Sequence, residues 1–158
     1  MDFTKYALKT GGILLPSGRD LSKWAVIACD QFTSQPEYWV EVEQIVDGAP
    51  STLNMIYPEA WLAQGDERIP RIHQAMRRAL KGSLAPATDG FVLVERQVST
   101  GVRLGLVAAV DLERYDYAPG SKALIRPTEK TIPERIPPRM KIRLAAPLEM
   151  PHVLLLVD

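Results

Sequence analysis

Two apolar runs of strand length, residues 91–98 (FVLVERQV) and 102–110 (VRLGLVAAV), flank Ser99-Thr100-Gly101. Runs of this kind joined by three residues ending in Gly predict a β-hairpin. A chain that carries this hairpin is not an all-helical bundle. Glu95 and Arg96 sit among the apolar residues of the first run, so one face of that strand is expected to meet water or a polar site.

The preceding half alternates strand-length runs with helical periods. Residues 24–29, WAVIAC, form an uninterrupted apolar run that predicts a buried strand. It ends in the polar stretch from Asp30 to Gln35, where Thr33 or Ser34 is placed to cap a helix. That helix is expected from about Pro36 to Val46, with Tyr38, Trp39, Val42, Ile45 and Val46 as its apolar stripe. Strand, polar loop and helix in this order put Asp30 at the carboxyl end of a strand, where sites of α/β proteins lie. Residues 53–57 read as a second short strand, and Pro58 opens a helical turn bearing Trp61 and Leu62. A longer helix follows over 67–81, with Ile69, Ile72, Ala75, Met76, Ala79 and Leu80 at helical spacing. His73 is expected on its exposed or half-buried side. The fold class is α/β (α+β): a single domain with a mixed sheet built from 24–29, 53–57, 91–98 and 102–110, and helices against it.

At 158 residues and 46% hydrophobic, the chain can bury a core of single-domain size. No apolar run approaches the ~20 residues of a membrane span, and the N-terminus MDFTKYALKTGG lacks the apolar core of a signal peptide. A cytoplasmic protein without a membrane partner is the expectation. One cysteine, Cys29, excludes an internal disulfide framework, and His73 and His152 stand too far apart for metal-ligand spacing. The sequence stops on VLLLVD, whose apolar residues 153–157 read as a strand. This suggests the N-terminal fragment of a longer protein, in which that strand has a neighbour, and a copy-to-copy contact through the strand if it does not.

The charge is unevenly spread. Between Lys122 and Arg143 there are seven Lys or Arg and two Glu, whereas the rest of the chain holds twelve basic and seventeen acidic residues. A short basic locus of this kind suits a small polyanion better than a long nucleic acid track. Within it, Arg126, Thr128, Lys130 and Thr131 offer charges and hydroxyls ahead of Pro133, which is placed for the first turn of a helix starting near Ile132. The amide end of such a helix would face an anion. Arg135 and Arg139, four apart, are expected on one face, able to fork onto phosphate oxygens. Pro137 and Pro138 argue for a short or kinked helix. The other reading of the same stretch is a solvated basic face.

IACDQFTSQPEYWVEVE, together with IRPTEKTIPERIPPRMKIRLAAPLEMPHVLLLVD, resembles the N-terminal part of an uncharacterised bacterial family, domain of unknown function 1015. That family is similar, more remotely, to the ParB and sulfiredoxin-like nucleotide-binding fold, which includes free-serine kinases. The segment from Pro127 to Thr131 occupies the place of that fold's phosphate motif, with Pro127 where Gly is usual and Lys130 where the first Arg stands. The resemblance implies ATP or another nucleotide with Mg²⁺. It implies phosphoryl transfer to a free amino acid such as serine or another small hydroxyl compound, with Asp30 or Glu129 as general base or Mg²⁺ ligand. The alternatives are a nucleotide-binding switch of ParB type and a module that keeps the fold without chemistry. Nothing in the sequence signals a helix-turn-helix, so nucleic acid is not indicated.

Overall fold

The computed structural model describes residues 3–18, 20–86, 89–127, 130–150 and 153–156. Its elements run β1 (Leu8–Lys9), β2 (Leu14–Pro16), α1 (Pro36–Val46), α2 (Arg68–Gly82), β3 (Leu84–Pro86), β4 (Val92–Val98), β5 (Gly101–Val107), β6 (Ala109–Val110) and α3 (Ile136–Arg143), with one short 3₁₀ turn before β1 and four between later elements among the described residues. The architecture is mixed α and β. The chain makes two compact units, Met1–Leu15 with Pro86–Thr131, and Pro16–Ala85 with Ile132–Asp158. β2 and β3 pair as a two-stranded ladder.

In the first unit the expected hairpin is present. β4 and β5 pair antiparallel from Val92↔Val107 to Val98↔Gly101, so Ser99 and Thr100 alone form the loop. Gly101 closes it at φ 132, a conformation open to Gly and strained for other residues. The second strand is shorter than the sequence suggests: β5 stops at Val107, and β6 pairs with β1 instead, Leu8 opposite Val110 and Lys9 opposite Ala109. Residues 93–97 and 101–106 are all exposed, so both faces of the hairpin are wet and not one, Glu95 on one face and Arg96 on the other, with Leu93 and Leu104 70% and 68% exposed.

The second unit holds the core. Trp39 and Val46 of α1, Leu53, Met55 and Tyr57, Trp61, and Ile72, Met76 and Ala79 of α2 are buried against one another. α1 has the bounds expected of it, but neither Thr33 nor Ser34 caps it; Gln35 takes the cap position without a side-chain bond, and Pro36 sets the first turn. Ile45 is 66% exposed and lies off the buried stripe. On α2 the buried set includes His73, whose Nε2–H donates to the Ile142 carbonyl at 2.7 Å. That bond gives the imidazole a partner on α3 and explains its burial on a face expected to be wet.

Two expected strands are absent. Residues 24–29 make no ladder and are at most half-buried. Residues 53–57 fall largely in a 3₁₀ turn, Thr52–Met55, capped by the Ser51 hydroxyl accepting from the Leu53 N–H. No mixed sheet therefore forms from the four runs; among the described residues the sheets are three two-stranded ladders. Residues 153–156 are likewise not a strand, and Val153, Leu154 and Leu156 are more than 80% exposed. No helix among the described residues is long and apolar enough to cross a membrane.

Burial separates two apolar residues that share a helical pattern in the sequence. Met76 is 2% exposed and Ile45 66%. In urea denaturation Met76→Ala is expected to lower stability by about 2–5 kcal/mol, and Ile45→Ala by no more than about 0.5 kcal/mol.

Candidate functional site

α3 begins where the prolines allow. Pro133 opens a three-residue 3₁₀ turn, Pro133–Arg135, and the α-helix starts at Ile136 with Pro137 and Pro138 in its first turn, where a missing N–H costs nothing. The prolines initiate this helix rather than interrupting it. Arg135 stands at the cap position and Arg139 one turn on, so both guanidinium groups leave the same face. The helix is held by the His73 bond to Ile142, by Ile142 packing on the core, and by Lys141 Nζ 2.6 Å from Asp66.

Opposite that face stand two carboxylates from sequence-distant turns. Asp30 lies in a turn and not at the carboxyl end of a strand, because residues 24–29 form none, and its Oδ1 accepts from the Gln31 side-chain amide at 3.4 Å. Glu59 starts the 3₁₀ turn Glu59–Gln64 after Pro58, and its backbone N–H donates to the Cys29 carbonyl at 2.8 Å. The Tyr57 hydroxyl braces the same turn by donating to the Trp61 carbonyl.

The four side chains converge. Arg139 Nη2 donates to Glu59 Oε1 at 2.8 Å and lies 3.8 Å from Asp30 Oδ2. Arg135 lies 3.7 Å from Glu59 Oε2 and 3.9 Å from Asp30 Oδ2 without hydrogen-bonding either. The Glu59 side chain is 13% exposed, against 43% and 49% for the two arginines, so the carboxylate is the inner layer and the guanidinium groups the outer. The Glu59 hydrogen bond raises the pKa of Arg139 above the ordinary guanidinium value, which keeps the cation fixed. Cys29 lies in the field of the same groups. Burial pushes its thiol up, with Arg139 opposing and Asp30 and Glu59 adding to the shift.

Of the residues singled out in the sequence, Asp30, Arg135 and Arg139 meet in this cluster. Arg126, Lys130 and Thr131 belong to the first unit, where 130 and 131 are in no helix; Thr128 and Glu129 lie outside the described residues. Glu59 was not legible as a site residue, because it lies 80 positions from Arg139. Its one local signal is an acid at the start of a turn opened by Pro58.

The arrangement thus defines a mixed α/β protein with an Arg/carboxylate cluster. Over residues 12–158 the chain matches the model of a protein family of unknown function, DUF1015, and it belongs to that family. No curated protein and no solved structure matches it.

A thiol whose pKa is raised stays protonated at neutral pH, so Cys29 is expected to alkylate slowly there. Its reaction with iodoacetamide should rise only above the pH at which a free cysteine reacts. Arg139→Ala removes a cation that favours the thiolate and should move that rise to still higher pH, as pH-rate profiles followed by mass spectrometry would show.

Proposed function

We propose that this chain is a nucleotide-dependent phosphotransferase of the ParB/sulfiredoxin-like class, acting on a small hydroxyl compound such as a free amino acid. One observation carries the reading: Arg135 stands beside Asp30 and Glu59 at 3.7–3.9 Å yet hydrogen-bonds neither, so its guanidinium fork keeps N–H donors for an incoming anion. Arg139, a turn away and half exposed, supplies a second fork.

Phosphate oxygens arriving at this outer layer accept from the uncommitted N–H donors of the two arginines, and the Arg139–Glu59 hydrogen bond stays in place. Asp30 Oδ2, 3.8 and 3.9 Å from the two guanidinium groups, stays open, while Oδ1 is held by Gln31. In transfer, the acceptor hydroxyl attacks the terminal phosphorus of the nucleotide, the bond to the bridging oxygen breaks, and Asp30 takes the hydroxyl proton. Arg135 and Arg139 bear the charge that spreads over the phosphoryl oxygens.

Mg²⁺ is the metal that such chemistry employs. Asp30 and Glu59 fit one held jointly by protein carboxylates and nucleotide phosphates. Among the described residues no group of three or more His, Cys, Asp or Glu forms a protein-only cage. When bound, the ion would neutralise phosphate charge.

Calorimetric titration of ATP and CTP, with Mg²⁺, tests the reading. Arg135→Ala and Arg139→Ala are each expected to weaken binding by roughly tenfold to a hundredfold, the value of a charge-assisted hydrogen bond, with circular dichroism unchanged. Asp30→Asn should retain nucleotide affinity in a titration without Mg²⁺ and lose phosphoryl transfer to a panel of hydroxyl amino acids. Binding by the wild type with no transfer to any of them would favour the nucleotide switch, and binding indifferent to both arginines would overturn the assignment.

A further inference from the structure

The second unit has a cleft of about 750 Å³ between α2, the loop around Ala49 and Pro50, and Trp24. That volume is typical of small-molecule sites. Arg71 and Arg78 lie on its rim, seven residues apart and hence on one face of α2, with about 10 Å of helix rise between them. Both are exposed, and among the described residues neither makes an ion pair or a side-chain hydrogen bond.

Their neighbour Arg68 differs. It pairs with Glu43 at 3.2 Å and lies over the Trp61 ring at 4.0 Å from the centroid, so its charge is already committed. Between the two free arginines the wall has two flanks: Ala75, with Met55, Ile72, Ala79 and half-buried Trp24, gives an apolar one, and exposed Gln74 a polar one. The cleft therefore presents two cations separated by a surface that is apolar along its Ala75 flank.

We propose that this cleft binds a small organic dianion with an apolar middle and an acidic group at each end, carboxylate or phosphoryl. Each end meets one guanidinium fork, and the middle lies against Ala75 and Trp24. A monoanion leaves one arginine unused, and a compact dianion cannot reach both, so length is the selective property. The site is separate from the Asp30, Glu59, Arg135 and Arg139 cluster and does not rest on phosphoryl transfer.

Straight-chain dicarboxylates of increasing length, titrated into the intact chain by calorimetry with tryptophan fluorescence alongside, test this. Affinity is expected to peak where the carboxylates stand about 10 Å apart, matching the arginine spacing, and the equally long monocarboxylate should bind at least about tenfold more weakly. The α,ω-bisphosphonate of the same length separates phosphoryl from carboxylate preference. Arg71→Gln and Arg78→Gln should each reduce affinity for the best dianion by about tenfold, Trp24→Phe should abolish the fluorescence response, and Arg135→Ala should leave binding unchanged. Binding independent of length, binding indifferent to Arg71→Gln with Arg78→Gln, or no binding in the millimolar range would overturn the proposal. So would preference for a single-stranded oligonucleotide over every dianion.

Discussion

A carboxylate as shielded as that of Glu59 is unstable without a counter-charge, and the hydrogen bond from Arg139 supplies it. That bond links a turn near the middle of the sequence to α3. It also fixes where Asp30 and Arg135 stand, because both are placed against the same pair of groups. The half-exposed arginines limit what the pairs add to stability, since solvent screens them. Their larger effect is positional: two cations and two anions held in a fixed order, cations outward.

The hydrophobic cluster of the second unit makes that order durable. Trp39 is fully buried and donates its indole N–H to the Gln31 carbonyl at 3.2 Å, so the loop that carries Asp30 is tied to α1. Trp61 packs on Trp39 with centroids 6.1 Å apart, tying the Glu59 turn to the same helix. Both acids are thereby carried by loops whose ends are anchored in apolar packing. Surface loops on a rigid scaffold are where binding groups commonly lie.

The sequence was most legible where a local rule and tertiary packing agree. Pro36 marks the start of α1, the alternation around Ser99 and Thr100 marks the hairpin, and the period of Ile72, Met76 and Ala79 marks α2 within a residue at each end. It was least legible where an apolar run is short. Residues 24–29 look like a strand, but strand character needs a neighbour with which to exchange hydrogen bonds, and that neighbour is not written into the run itself. At 53–57, Ser51 offers a local hydroxyl acceptor that turns the chain, which outweighs strand propensity. In the site, Asp30 and the two arginines were visible from the end of an apolar run and an i, i+4 spacing. Glu59 was not, because its role comes from the tertiary approach of α3 and from no motif.

The second unit is assembled from two separate stretches of chain, with the whole segment of the hairpin lying between them in sequence. During synthesis Glu59 leaves the ribosome 80 residues before Arg139, which at roughly 5–20 residues per second is a delay of about 4–16 s. Through that interval Asp30 and Glu59 have no guanidinium opposite them, and His73 has no Ile142 carbonyl to bond. The Arg/carboxylate cluster is thus among the last features to form, and a nascent chain carries its future site as an unneutralised acidic surface until α3 arrives.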